Sequence, residues 1–464
     1  MVGDLISVRP TKKTKRGSAN SDFFYASLLH EEFGDDLRYT PTIGWRSWQE
    51  GRWVDDAARD FARQATRNLL LYCGVNKSDH SANKLKNVLL AAAAIKEFSV
   101  MLDEWDSGLD ELNTPSGLVN LKTGEVNRGN DRPLVTKITG CGVGESSHCP
   151  QFQLALSEIF NCEQWKNPQE VIDFLQVLFG YLITGQISEQ YLFFFHGVGA
   201  NGKSFLLDLM ALVCGDYARQ VPSSLLVNTR NRDHPTELAQ LMGVRLAVSS
   251  ELESNQFWAE SLIKTLTGDQ TITARFMRQD YFEFQRQAGF IVAGNHKPRF
   301  NASDQGMARR LVLIPFRHTI PPEKRKPNLH KKVFEEEGPA VLRWIIEGAM
   351  KWYQHGLVLP AEIKTETGEY VDSNDDIAAW VEECAELEPS VRVSNQQLLA
   401  SYNRWKENQG EKGGSIKPFL EKLLTRYPEL KKDSFKDNGK SVRGVRGIQL
   451  DVLYAFIDDS ESGY

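Results

Sequence analysis

Six residues between Gly197 and Ser204 are spaced for phosphate chemistry: Gly197, Gly199, Asn201, Gly202, Lys203 and Ser204, in the stretch YLFFFHGVGANGKS. Glycines let consecutive backbone N–H groups turn inward around phosphate oxygens. The Lys203 ammonium would reach the β- and γ-phosphates of a nucleoside triphosphate such as ATP, and the Ser204 hydroxyl would ligate Mg2+. Such chemistry needs an acid nearby to position the metal and the attacking water. RLAVSSELE supplies Glu251 at the end of an apolar run, with Glu253 close behind. The same two acids would also serve as caps for the segment that follows. FIVAGN ends in Asn295, an amide able to orient water or sense the terminal phosphate. Arg309 and Arg310 precede LVLIPF. Arginine stabilises charge on a transferring phosphoryl group, from its own subunit or a neighbour.

These side chains need a frame that brings them to one edge. Tyr191–Phe195 reads as a buried parallel strand, and the residues after Ser204, FLLDLMALV, read as a helix. Strand-like runs recur at Arg245–Ser249, Phe290–Ala293 and Leu311–Phe316. The pattern over 186–372 is α/β with a mainly parallel sheet, extended by helix over 325–360. Inside it, Thr271–Ala274 and Tyr281–Phe284 alternate as a hairpin, with Met277, Arg278, Gln279 and Asp280 near its tip. A cation there would grip a phosphate of single-stranded DNA.

The flanks divide at composition changes. Residues 1–20 form a basic arm with Arg9, Lys12, Lys13, Lys15 and Arg16, either a disordered tail or a DNA-binding arm. Residues 21–185 read as a mixed, mostly helical domain. Trp45, Trp48 and Trp53 suggest packing around a small hairpin. Helices are predicted over Asp55–Tyr72, with Ala58, Phe61, Ala65, Leu69 and Tyr72 on one face, and over Lys84–Leu102. Gly117–Val126 predicts a second hairpin, and 151–185 is helical again, with Phe152, Leu154, Phe160, Phe174, Leu175 and Phe179 as core. Thr365–Asn374 turns polar and acidic and reads as a linker. Residues 373–464 then predict helices at Ile377–Ala385, Asn395–Asn408 and Ile416–Arg426, with short strands near Ser434–Phe435 and Val445–Leu450. Three helices and a two-stranded ribbon make a winged helix. Lys431, Lys432, Lys436, Lys440, Arg443 and Arg446 would lie on its wing against Asp433 and Asp437, as phosphate contacts or as a solvated loop.

Bulk composition narrows the class. A chain of 464 residues exceeds one compact core, and its 41% hydrophobic and 25% charged content is ordinary for a soluble protein. The net charge of −6 excludes a uniformly basic nucleic-acid coat. Six scattered cysteines form no C-x-x-C pair, which fits a reducing cytoplasm. His148 beside Cys149 matches no standard metal spacing with Cys141 or Cys162. The run Val88–Ile95 is too short to span a bilayer, and no signal-peptide core opens the chain.

Taken in order, GxGxNGKS, the strand ending in SxE, K-x-x-TG-D followed by T-A-R, GN-x-x-P and RRL-x-x-IPF closely resemble a superfamily 3 helicase. The resemblance is to the phage- and plasmid-encoded primase–helicase C-terminal family, which includes the poxvirus primase–helicase. LVNLKTGEV, His148–Pro150 and LQVLFGYLITG resemble the domain before that family's core, and IAAWVEECA and LLASYNRWKE its C-terminal region. The resemblance implies an AAA+ hexamer that hydrolyses ATP with Mg2+, translocates on single-stranded DNA, typically 3′→5′, and unwinds forked duplex. It assigns Lys203 and Ser204 to nucleotide and metal, Glu251 to the acidic position, Asn295 to the sensor, and Arg309 or Arg310 to an arginine finger. Lys264, Thr267, Asp269 and Arg275 fall in the motif leading to the pore hairpin. Where many relatives carry two adjacent acids, this chain has Ser250–Glu251, which leaves the shares of Glu251 and Glu253 open. Larger relatives carry a primase–polymerase domain upstream. About twenty residues precede the shared part here, so the expectation is a helicase without polymerising activity, or one served by a separate primase. An origin-binding initiator without processive unwinding is the alternative from another class.

Overall fold

Strand β7 (Leu192–His196) has no polar face: Leu192 to Phe195 are wholly buried. That requires cover on both sides, as in a parallel sheet between layers. The computed structural model describes residues 21–56, 60–75, 81–129, 131–160, 163, 165–228, 235–252, 256–300, 304–408, 413–437 and 440–451. The basic arm, Ala58, Cys162 and Glu253 lie outside the described residues.

The first region holds α1 (Asp22–Phe33), a three-stranded antiparallel sheet β1 (Leu37–Thr40), β2 (Gly44–Gln49) and β3 (Arg52–Asp55), then α2 (Phe61–Tyr72) and α3 (Ala82–Ala93). The tryptophan cluster sits in that sheet, with Trp48 and Trp53 ring centroids 5.4 Å apart. Two helix readings change. Asp55 belongs to β3, and the Asp56 carboxylate accepts from the N–H groups of Phe61 and Ala62 at 2.9 Å each, so α2 starts at Phe61. Its buried face is Ala62, Ala65, Thr66, Leu69 and Leu70, and Tyr72 is exposed. Helix α3 stops at Ala93, because the chain turns there to bury Phe98 and bridge Ser99 to Tyr39. A second small sheet of β4 (Glu111–Thr114), β5 (Gly117–Asn120) and β6 (Val126–Asn127) contains the predicted 117–126 hairpin. Helices α4 (Pro150–Phe160) and α5 (Pro168–Thr184) follow. Leu154 is 55% exposed and contributes no core.

The central sheet joins β7 to β8 (Ala218–Gln220), β9 (Leu246–Leu252), β12 (Gly289–Gly294) and β13 (Leu311–Pro315), in the order β13-β7-β12-β9-β8. All four pairings are parallel. Between these strands lie α6 (Lys203–Cys214), α7 (Pro235–Ala239), α8 (Glu260–Gly268), the hairpin β10 (Thr271–Arg275) and β11 (Tyr281–Gln285), and α9 (Gln305–Ala308). One face of the sheet packs on α5, α6 and α10 (Leu329–His355) through Phe193, Phe195, Val312 and Ile314. The other packs Leu192, Phe194, Val292 and Leu313 with Trp258 and the hairpin's Ile272 and Phe284. Helix α10 has 27 residues and presses its backbone on α5: a Cβ at Gly180 would lie 2.1 Å from the Ala349 nitrogen.

The predicted linker is a helix, α11 (Ala361–Asp372). Glu369 and Asp372 are exposed, Glu362 and Glu366 are half-buried against Arg317, and Ile363 and Tyr370, seven residues apart, are buried. After it come α12 (Asp376–Cys384), β14 (Ala385–Glu386), β15 (Arg392–Ser394), α13 (Asn395–Asn408), α14 (Ile416–Arg426), β16 (Lys431–Asp437), β17 (Lys440–Arg446) and β18 (Gln449–Leu450). The three helices share one core with the β15-β17-β16 sheet, centred on Trp380, Trp405 and Phe419. No helix among the described residues is long and apolar enough to cross a membrane.

Candidate nucleotide site

The loop after β7 leaves the carboxyl edge of the sheet with a neighbour strand on each side, where parallel sheets open a crevice. Ala200 and Gly202 take φ of +57° and +87°, and a Cβ at Gly202 would lie 2.4 Å from the Ile159 side chain. Only glycine fits where α4 presses on the loop. Helix α6 then opens at Lys203, so its first N–H groups and positive dipole end meet the loop.

Lys203 is 6% exposed, and its ammonium donates to three neutral oxygens: Gly197 O at 2.6 Å, Asn201 Oδ1 at 3.0 Å and Asn295 Oδ1 at 3.2 Å. Burial lowers its pKa to about 8. Asn201 is buried in turn, donating to Phe316 O at 3.2 Å and Val198 O at 3.4 Å, which ties the loop to the end of β13. His196 is half-buried; that burial, with Lys297 and Lys203 nearby, lowers its pKa to about 4, so it is neutral at pH 7. The cavity measures about 390 Å³ and includes Gly199 to Ser204, Asn295, Asp208 of α6 and Ala155, Glu158 and Ile159 of α4. An anion entering it would meet the buried ammonium and the helix start, and Ser204 would offer a hydroxyl to a divalent cation.

The other predicted residues fall in several places. Glu251 is on β9, with its backbone at the carboxyl edge beside β12, where Leu252 pairs with Gly294. Arg309 and Arg310 lie at the opposite edge. Leu311 pairs with Leu192 and Pro315 with His196, so five residues of rise, roughly 16 Å, separate Arg310 from the loop's level. The pair is itself divided. Arg310 is 8% exposed and donates to Gly306 O at 2.5 Å, and burial, then Arg309, lower its pKa. Arg309 is exposed. Lys264 forms an ion pair with Asp304 at 2.5 Å and braces the start of α9, away from any hairpin tip.

The β10–β11 hairpin pairs Thr271 with Gln285 through to Arg275 with Tyr281. Ile272, Ala274, Phe282 and Phe284 are buried, and the tip residues Met277 to Asp280 are exposed. Arg278 sits at φ +62°, and Arg275 lies over the Tyr281 ring at 5.1 Å. Arg286 fixes the hairpin root by donating to Asp269 O at 2.7 Å and Thr267 O at 3.0 Å. On the C-terminal ribbon the register separates the cations: Lys431, Lys440 and Arg446 share one face, and Lys432, Lys436 and Arg443 the other. All six are exposed, and Asp433 pairs with Arg392 at 2.9 Å.

Sequence reasoning missed Glu158 and Asp208, which are ordinary helix residues until α4 and α6 converge. It also missed Lys324, Arg325, Lys326 and His330, which line the same cavity from the segment after β13. The cation run PPEKRKP was the available signal.

Residues 26–161 match a family described as D5 N terminal like, and residues 195–310 match a family of unknown function, DUF5906. A putative helicase L207/L206 of Acanthamoeba polyphaga mimivirus is 28% identical over 216 residues, 43% of this chain and 22% of that protein. A putative primase C962R of African swine fever virus is 26% identical over 230 residues, 45% and 24% of the two chains. Primase D5 of fowlpox virus is 22% identical over 249 residues, 52% and 31%. The matched part thus spans less than a third of each of these relatives. The apo structure of the NrS-1 C terminal region superposes with a TM-score of 0.52 at 11% identity, over 93% of this chain and 100% of that one, a likeness of fold. The D5 N terminal like match and these viral relatives together support a phage and viral primase–helicase family for this chain.

Proposed function

We propose that this chain is an ATP-dependent replicative DNA helicase of superfamily 3, with an AAA+ core, acting as a hexameric ring in the cytoplasm of a host cell. ATP with Mg2+ would be held by the Gly197–Gly202 backbone, Lys203 and Ser204, with Glu251 as the acidic residue and Asn295 as the sensor. The residues fit that group: a buried ammonium bonded to neutral oxygens alone, at a helix start, suits a polyanion. This observation carries the reading. The parallel order β13-β7-β12-β9-β8 supports it by setting Asn295 and the end of β9 beside the loop. In such a ring an arginine of one subunit would complete the site of the next, and the β10–β11 hairpin would track single-stranded DNA 3′→5′. The C-terminal winged helix would contact forked duplex, and a separate primase or polymerase would act with the ring.

The test is ATP hydrolysis with and without single-stranded DNA, together with strand displacement on forked DNA. Lys203→Ala is expected to lower turnover by about 10²-fold or more and to abolish unwinding. Near-normal hydrolysis in that variant contradicts the nucleotide assignment. DNA-stimulated hydrolysis with no displacement would favour an origin-binding initiator.

A further inference from the structure

The segment after β13 is fastened to the phosphate loop: the Ile320 N–H donates to Ala200 O at 2.8 Å. Arg325 folds back on the same point, its Nε donating to Ile320 O at 2.8 Å. Pro321, Pro322 and Pro327 restrict φ on both sides of Lys324, Arg325 and Lys326, so the cations ride on a stiff connection. All three line the cavity that holds Lys203 and Ser204. None of the three forms an ion pair among the described residues. With Lys203 they set four cations against the carboxylates of Glu158 and Asp208, while Glu323, in the same turn, does not line the cavity. A solvated surface loop has no reason to place each cation of the run on one cavity wall and leave the acid just before it out of that wall.

We propose that Lys324, Arg325 and Lys326 form a second phosphate subsite in the same subunit, binding the polyphosphate chain of the nucleoside triphosphate opposite Lys203. The inference rests on the nucleotide reading above. Lys203 approaches from the helix side, buried; the loop supplies exposed basic side chains from the other. Arg325 leads, because its guanidinium is already oriented by the Ile320 carbonyl and less freedom is lost on binding. The subsite belongs to this chain's own loop, so it would act before any neighbouring subunit contributes.

The experiment measures ATP and inorganic triphosphate binding by calorimetry at two salt concentrations, together with steady-state hydrolysis. The wild type is compared with Lys324→Gln/Arg325→Gln/Lys326→Gln, with Arg325→Gln alone, and with Arg325→Lys. Thermal melting checks the fold of each. The triple variant is expected to bind both ligands more weakly, by about tenfold or more, with a shallower dependence on salt. Its KM should rise more than its kcat falls, and Arg325→Lys should recover part of the loss. Absence of ATP binding by the wild type overturns both this inference and the nucleotide reading. Wild-type binding with unchanged binding in the triple and single variants overturns this inference alone. So does weaker ATP binding with unchanged triphosphate binding, which would put these side chains on the base or sugar.

Discussion

Among the described residues, the ammonium of Lys203 is bonded to two side-chain amides and one carbonyl, and to no carboxylate. Burial makes this lysine lose its proton more readily than one in water, and its pKa falls to about 8. On the proposed reading, phosphate oxygens favour the charged form and raise that pKa. Binding of ATP above pH 8 therefore takes up a proton, and affinity weakens as pH rises through about 8. Titration calorimetry at pH 8.5 in two buffers of different ionisation enthalpy would show unequal heats; equal heats would count against a buried lysine meeting the phosphates. The adjacent arginines make a second contrast. Arg310→Ala removes a buried group that bonds Gly306 O, at an expected cost of about 1–3 kcal/mol in chemical denaturation. Arg309→Ala should leave stability within about 0.5 kcal/mol. If the exposed Arg309 serves the next subunit, mixing Arg309→Ala with Lys203→Ala chains restores hydrolysis at some interfaces. No activity above either variant alone, at any ratio, would rule out that role. Spacing made Lys203, Ser204 and Asn295 legible from the sequence, because the loop's chemistry is local. Nothing in RR tells which arginine is buried, since that depends on α8 and α9 packing around one of them.

The β10–β11 hairpin was legible as an element for the same local reason: the alternation read over Thr271–Ala274 and Tyr281–Phe284 is the alternation of exposed and buried residues along both strands, each of which runs one residue further. The tip carries Arg278 in the left-handed region, where a side chain other than glycine costs about 1–2 kcal/mol. That cost is borne by a residue whose charge faces solvent. Arg278→Ala is expected to abolish DNA stimulation of hydrolysis and unwinding, and to flatten the salt dependence of single-strand binding. Arg278→Lys should restore part of each. Hydrolysis without DNA is the reference, and wild-type unwinding by Arg278→Ala would remove this residue from the strand-pulling role. Helix ends were less legible. The alanines of α3 continue a helical pattern, but Phe98 has to reach the core, and burial of one large ring ends the helix. In α11 the polar composition hid a narrow apolar stripe, because only two of its twelve residues are buried.

At the scale of the molecule, Tyr370 of α11 joins three parts of the chain. Its hydroxyl accepts from Trp258 Nε1 at 2.8 Å and donates to Pro298 O. Four residues on, Asn374 accepts from the Phe300 N–H at 3.1 Å. At the other end of α11, Arg317 pairs with Glu362 at 3.0 Å and Glu366 at 2.6 Å and lies over the Trp165 ring. Tyr370→Phe leaves a buried indole N–H and a carbonyl without this partner. We expect a loss of about 1–3 kcal/mol in denaturant unfolding followed by tryptophan fluorescence, and an unchanged midpoint would show that the hydroxyl is not needed. These long-range contacts had no sequence signature, since each partner is more than forty residues from the other.

The bond between Pro298 and Tyr370 also limits slack. Asn295, which touches Lys203, is three residues from Pro298, and three residues extend to about 10 Å at most. The carboxyl edge of β12 is thus moored to α11 by a very short tether. A shift of Asn295 beyond that reach must either drag the helix, and the C-terminal unit that continues from it, or break the tyrosine's bond. The C-terminal unit is therefore geared to the sheet edge, not trailed behind it.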